Sequence, residues 1–317
     1  MIPRSIFYSL LWLLTTTCWA QIWQTQSQLG VVYTHQQRSG MLRYMTFHDH
    51  TLATPNYHQH LYYNPFTENR EYYTYFQLYV QSRLNRRVVV AASMTHHHNW
   101  RNEDDGLLPQ SYTTNEKGFG DLRIAGHYLL YDSELFSINP IVRQQWWLGG
   151  QITLPTGRYD NFNVLNELEP KMQVATGAWQ LNPRLHYVLE YQRWQVAAQC
   201  YYHYFLQNRF YYRFGNRWQA QIVGQYQAVL GKLRWTVGTG VGYEHRKADF
   251  MNRQAIPEDT GGQWWTMVLQ SQLQWRAYQL EGVYSLPFVQ KLKGRQTQFG
   301  VFFQVSVAWK WGVGDNE

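Results

Sequence analysis

The segment Gln298-Phe-Gly-Val-Phe-Phe-Gln-Val-Ser-Val-Ala-Trp-Lys-Trp311 reads with period two. On a strand that period sends Phe299, Val301, Phe303, Val305, Val307, Trp309 and Trp311 to one face. Gln298, Gly300, Gln304, Ser306, Ala308 and Lys310 go to the other, and only Phe302 breaks the pattern. Trp264 to Trp275 repeats the design, with Trp265, Met267, Leu269, Leu273 and Trp275 opposite Thr266, Gln270, Gln272 and Gln274. The polar face of a sheet bathed in bulk water carries charge, whereas here it carries Gln, Ser, Thr and Gly. A wet interior fits that face, and lipid fits the other, with its terminal aromatics at the two membrane interfaces.

The composition agrees. Aromatic residues make up 17% of the chain and charged residues only 15%, yet mean hydropathy is a polar -0.51. A water-soluble domain usually carries about a quarter charged residues. Net charge is +7, but no dense Lys/Arg cluster or nucleic-acid motif is present, so nucleic acid is excluded as a partner.

Residues 1–20 read as a secretory signal: Arg4, the apolar run from Ile6 to Leu14, then Cys18-Trp-Ala20 before Gln21. Thr15-Thr-Thr17 is a poor lead into a lipidated cysteine. Cleavage after Ala20 leaves Cys200 as the sole cysteine of the exported chain, which excludes an internal disulfide and a cysteine-based metal site. No later stretch of about 18 apolar residues is present, so insertion into a membrane must use a barrel.

Segments of suitable length recur: Met41–His50, Tyr72–Leu84, Val88–Trp100, Asp121–Tyr131, Ile141–Leu154, Lys171–Tyr191 with a bulge near Pro183, Trp194–Phe205, Tyr211–Tyr226, Leu233–His245, Trp264–Trp275, Leu280–Phe288 and Gln298–Trp311. Tight connections (Asn85 to Arg87, Gly231-Lys232, Arg276 to Gln279) alternate with long ones (Thr51 to Glu71, Arg101 to Gly120, Pro155 to Pro170, Arg246 to Gln263). Short periplasmic turns and long outer loops are the pattern of outer-membrane barrels. The expected architecture is therefore an all-β, transmembrane, antiparallel up-and-down β-barrel of about 12 strands. Its expected divisions are a signal peptide (1–20), an N-terminal lead or partial plug (21–40), the barrel (41–311) and a short tail (312–317). Gln24 to Tyr33 could be a further strand, but an odd count is uncommon in bacterial barrels. A soluble β-sandwich is the alternative that alternation alone leaves open.

Gly118-Phe-Gly-Asp121 at the head of one strand, with Gly149-Gly-Gln-Ile-Thr-Leu-Pro-Thr-Gly157 ending the next, resembles a family of outer-membrane transporters named for a protein of the phenol meta-cleavage pathway. The likeness is to its members in the Bacteroidota and runs from about Met41 to Trp311. Such members often begin with a Cys-rich stretch, which this chain lacks. The resemblance implies a transporter barrel in the bacterial outer membrane, partnered by lipid, small solutes and the export and barrel-assembly machinery.

Strand parity places Arg43, Arg83, Arg123, Arg143, Arg213, Arg217, Arg234 and Lys310 in the lumen, against Glu190, Glu244, Glu281 and Asp121. A net basic lumen concentrates anions, so anionic or neutral polar solutes are the expected cargo. The same parity turns Tyr73, Tyr75, Tyr79, Trp147, Tyr201 and Phe205 inward, either as a stacking surface for aromatic solutes or as a plug. Barrels near eight strands are filled and those near sixteen are open, so about twelve leaves both outcomes available. Asp121 is expected to line the mouth, and the glycines around it to set turn geometry.

No enzyme signature is present. Ser93 and His97 share a strand face, but i,i+4 positions on a strand lie roughly 13 Å apart. A barrel enzyme acting on lipid is therefore the weakest expectation. The rival to transport is a non-conducting surface barrel that binds metal or a partner through a His-rich extracellular rim. His48-Asp-His50, His58-Gln-His60 and His96-His-His98 each hold an i,i+2 pair, the spacing at which two imidazoles on one strand face can share Zn or Cu. His48, His50, His96 and His98 are its candidate ligands, with acids such as Asp49 and Glu103 nearby. No other cofactor is expected.

Overall fold

The computed structural model describes residues 38–48, 51–52, 68–104, 111–135, 142–159, 170, 173–256, 260–293 and 301–311. The signal segment, the lead before Arg38, the loop with His50, His58 and His60, and the tail after Trp311 lie outside the described residues. Twelve long strands form the wall: β1 Arg38–His48, β2 Glu68–Arg83, β3 Val88–Asp104, β4 Leu122–Asp132, β5 Val142–Leu154, β6 Gln180–Tyr191, β7 Trp194–Phe205, β8 Arg217–Leu230, β9 Leu233–Arg246, β10 Gly262–Trp275, β11 Tyr278–Leu292 and β12 Val301–Trp311. Each pairs antiparallel with its neighbours in sequence, and β1 pairs with β12 from Arg38↔Trp311 to His48↔Val301. Among the described residues these pairings close the sheet into a ring.

The ring is inside out. Among its buried residues are Gln77, Asn99, Gln151, Asn182, Arg184, Gln225, Glu281 and Gln304; its exposed ones include Leu148, Ile152, Leu185, Ile222, Val241 and Leu269. A soluble protein would present the opposite distribution. At the end with tight turns the outer face carries Trp146, Tyr191, Trp194, Trp235, Trp275, Tyr278 and Trp309; toward the other end it carries Trp179, Tyr204, Trp218, Trp265 and Phe288. Aliphatic side chains fill the belt between these two aromatic girdles. That is the surface of an outer-membrane β-barrel, with strands of 11–17 residues where about 9–11 suffice to cross.

The hairpins β2–β3, β6–β7, β8–β9 and β10–β11 turn tightly at one end, through positive-φ residues where two positions must reverse the chain: Gln192, Gly231 and Arg276. At the opposite end the connections are long and partly structured. Ser111–Phe119 pairs with the upper half of β3 (His96–Asp104), while β4 pairs with its lower half (Val88–Ser93). The part of the expected loop nearest β4 is thus strand, and Gly120-Asp121 is a break within the sheet.

Three further expectations are corrected. The strand expected from Lys171 begins only at Gln180, because Gln173 to Trp179 folds across the barrel end and Gly177 adopts φ 60°. No bulge accompanies Pro183: Leu181↔Tyr204 and Arg184↔Tyr201 keep one register, with the proline simply omitting a donor. The strand expected over Tyr211–Tyr226 runs instead from Arg217 to Leu230. Tyr211 turns at φ 60°, and Tyr212–Arg213 joins Asp249–Met251 and Gln254–Ile256 in a small separate sheet over the long-loop end.

Candidate functional site: a layered polar lumen

Parity on β4 to β8 builds the interior in layers. At the tight-turn end Arg143 pairs with Asp132 at 2.9 Å and Glu134 at 3.0 Å, and Glu190 stands 3.8 Å away. Gln145 also donates to Asp132 at 2.6 Å, and Gln195 to Glu190 at 2.7 Å. Next comes a small apolar collar of Val89, Leu129 and Trp147, all buried. Above it the rings of His127 and His186 meet edge to face at 5.4 Å, and His186 meets Tyr201 at 5.6 Å.

The central layer is basic. Arg123, Arg184 and Arg217 converge on one cavity with Gln151, Gln180, Asn182, Tyr201, His203 and Gln219. Its volume is about 20 Å³, on the scale of a single water. A second cavity of about 10 Å³ shares Arg123, Gln151 and Arg184 and reaches Tyr79 and Ser93. Arg184 donates to Gln151 Oε1 and lies 5.3 Å over the Tyr201 ring; Arg217 lies 5.1 Å over the Phe205 ring. Glu244 takes a hydrogen bond from Gln219 and faces Arg217 at 3.7 Å. His203 meets Gln219 Oε1 at 2.9 Å.

An aromatic cap covers this layer at the long-loop end. Tyr159, Phe205, Tyr212 and Phe214 form one buried cluster, with Phe210 against it. Asp249 anchors the cap: both its oxygens accept from Arg246 at 2.7 Å, Tyr212 donates its hydroxyl, and Gly215 donates its amide at 2.6 Å. Burial raises the Tyr159 phenol to about 12, and burial together with Asp249 raises that of Tyr212, so both remain neutral and Tyr212 keeps the proton it donates to Asp249.

The two short motifs behind the resemblance form one staple. Asp121, 3% exposed, accepts from Gly157 N at 3.1 Å, Thr176 N at 2.8 Å and Thr176 Oγ1 at 2.7 Å. Leu122 N donates to Thr156 Oγ1 at 2.9 Å. A Cβ on Gly157 would sit 2.5 Å from Ala175 Cβ and 2.7 Å from the Gly120 carbonyl carbon, and one on Gly120 would sit 2.6 Å from Thr95 Oγ1. Both glycines are there for close approach of chain to chain. Asp121 is thus committed to tying strand ends together, not to lining an opening.

Of the other expected lining residues, Arg123, Arg143, Arg217, Glu190, Glu244 and Glu281 lie on the inner face. So do Tyr73, Tyr75, Tyr79, Trp147, Tyr201 and Phe205. Arg83 caps the tight turn through Asn85 O and Arg86 O. Arg234 is exposed beside the β8–β9 turn. Arg213 leaves the wall with its displaced segment and stacks 4.2 Å from the Phe250 ring. The side chains of Arg43 and Lys310 lie outside the described residues, as does that of His48 and all of His50. His96 packs edge-on to Phe119 on the outer face and His98 is on the same face, while His97 turns inward to meet Thr95 Oγ1 at 2.7 Å. Among the described residues no group of three His, Cys, Asp or Glu could hold a metal ion.

Parity also held residues that went unread. Asn182, Arg184 and His186 share the even face of β6 with Glu190, and the bulge expected at Pro183 hid them. Gln151, His203 and Gln219 look like ordinary polar strand residues until the ring brings them together.

Residues 24–266 match the model of the family described as "Putative MetA-pathway of phenol degradation". No curated protein matches the chain. Among solved structures, the COG4313 outer membrane channel from Pseudomonas putida F1 is similar at TM-score 0.62 and 14% identity, covering 87% of this chain and 96% of that one. The beta domain of the Bordetella autotransporter Brka is similar at TM-score 0.48 and 7% identity, covering 87% and 100%. At 14% identity the likeness to the COG4313 channel is one of fold.

Proposed function

We propose, for a chain that belongs to the family described as "Putative MetA-pathway of phenol degradation", that it is an outer-membrane channel for small polar, anionic or aromatic solutes, not an enzyme. The observation that carries this reading is the inverted burial of a closed ring: an apolar belt outside and a largely polar interior inside, whose central layer is lined by three arginines. A barrel serving only as an anchor has no need for so polar a core, since burying unpaired polar groups costs free energy. Low-dielectric walls lined with one sign of charge concentrate the opposite ion. Tyr201 and Phe205 add ring faces beside the guanidinium groups, which suits a solute that is both aromatic and acidic.

The central cavity is narrower than such a solute, so passage requires the side chains of this layer and the aromatic cap above it to move. Conduction is then intermittent. The test is the refolded barrel in a planar bilayer under a KCl gradient, with benzoate uptake into proteoliposomes alongside. Brief openings with a reversal potential on the chloride side are expected. Neither conductance nor uptake above that of empty lipid would overturn the channel.

A further inference from the structure

We infer that the tight-turn end of the barrel carries a collar that binds the head groups of anionic phospholipids. Each of the four tight hairpins holds a cation in its turn and no acid: Arg87 beside Arg86 in β2–β3, Arg193 in β6–β7, Lys232 in β8–β9 and Arg276 in β10–β11. All are exposed. So short a turn reverses the chain directly beyond the last lipid-facing residue, which leaves each cation at the edge of the aromatic girdle. The sequence repeats the juxtaposition as Arg193-Trp194, Arg234-Trp235 and Trp275-Arg276, with the three tryptophans 59%, 42% and 41% exposed on the outer face.

Two contacts fix cations on the outer side. The Arg276 guanidinium lies 5.1 Å from the centre of the Trp275 ring, and Arg87 Nη1 donates to the Tyr128 hydroxyl at 3.3 Å. Both rings face lipid. A guanidinium held against such a ring stands at the depth of the phosphates while the ring enters the acyl boundary. The girdle is itself tied together from β7 to β11: Trp194 meets Tyr226 at 4.9 Å, the Trp235 indole donates to Ser271 Oγ at 3.0 Å, and Trp275 stacks with Tyr278 at 6.5 Å. Carboxylates do not offset the collar from within. Asp132, Glu134 and Glu190, at the same end, pair with Arg143, and no ion pair joins Arg87, Arg193, Lys232 or Arg276 to an acid among the described residues. Cations placed for solubility alone would have no reason to recur beside tryptophan at the membrane edge. An anionic phospholipid meets both halves of the collar, its phosphate the cation and its acyl carbonyls the indole N–H. In a zwitterionic head group the amine cancels much of that attraction, so the collar selects net negative lipid. Short turns are periplasmic in outer-membrane barrels, so the leaflet concerned is the inner one.

Electron paramagnetic resonance of spin-labelled lipid tests it. The full-length barrel is refolded in phosphatidylcholine vesicles with a trace of labelled phosphatidylglycerol or labelled phosphatidylcholine, and the motionally restricted fraction gives the relative affinity of the two. Phosphatidylglycerol should be favoured about threefold by the wild type, and less than about 1.5-fold once Arg87→Gln, Arg193→Gln, Lys232→Gln and Arg276→Gln are combined. Lys117→Gln, Lys247→Gln, Arg253→Gln and Lys291→Gln together remove the same charge from exposed positions at the long-loop end and should keep the wild-type preference. No preference in the wild type, a preference that survives the collar variant, or an equal loss in both variants would overturn the collar. If the collar variant does not fold, photolabelling of the wild type decides. Phosphatidylglycerol with a diazirine near the head of one acyl chain should mark peptides carrying Trp194, Trp235 and Trp275 more heavily than those carrying Trp179, Trp218 and Trp265, relative to phosphatidylcholine bearing the same group. Equal marking of the two ends would end the inference. Neither readout involves conductance, so the collar and the channel reading can fail separately.

Discussion

Ile222→Arg is expected to lower the folding free energy of the barrel in lipid vesicles by about 2–4 kcal/mol, the depth-dependent cost of a cation near the bilayer midplane. Ile222 is 53% exposed in the middle of β8, paired with Val241 on β9, in the aliphatic belt between the two aromatic girdles. Gln227→Arg makes the comparison. Gln227 is half-buried on the inner face of the same strand, turned away from lipid, and its replacement should change stability by less than about 1 kcal/mol. Urea unfolding followed by tryptophan fluorescence reads both. Equal costs for the two faces would remove lipid from the outer surface and leave the inverted burial without a cause.

Asp121→Ala should cost about 3 kcal/mol, because it strands two backbone amides and a hydroxyl that a single carboxylate now satisfies. The loss is local in origin. Residues 155–159 and 173–178 are held against the head of β4 by this side chain, by Leu122 N on Thr156 Oγ1 and by glycines that leave no room for a Cβ. Hydrogen exchange at the Gly157 and Thr176 amides should accelerate more than exchange in the β8–β9 hairpin. Asp121→Asn, which keeps one acceptor oxygen, should fall between the wild type and the alanine variant. Uniform acceleration across the barrel, or none, would show that the staple is not what holds these segments.

The strand count was legible because a wall residue alternates between two solvents, so Phe303, Val305 and Val307 announce lipid as plainly as Gln304 and Ser306 announce the lumen. The places where reading failed are those where another interaction overrides alternation. Lys171 to Trp179 contains apolar residues in strand-like order, yet Thr176 is drawn to Asp121 and Gly177 turns the chain. Tyr211 to Phe214 is aromatic enough for a strand, but Tyr212 bonds to Asp249 across the barrel end and takes Arg213 with it. In both cases the partner is distant in sequence, and no periodicity carries that information. The arginine layer was half legible: parity gave Arg123 and Arg217, and the expected bulge at Pro183 obscured Arg184. The convergence of five strands on one cavity follows from ring closure and strand tilt, which no single segment encodes.

The seam where β1 meets β12 sets the order of events during assembly. Every other join in the ring unites strands that are neighbours in the chain, and several do so through turns of two residues, so they can zip locally and early. The Arg38↔Trp311 join spans almost the whole wall, so it must form last. Until then the nascent sheet carries two unpaired edges and one uncovered apolar surface, and a nascent chain that stops short of Val301 has no means of concealing either. The polar interior does not exist as a compartment before that final pairing, so ions can enter it only after the seam has closed.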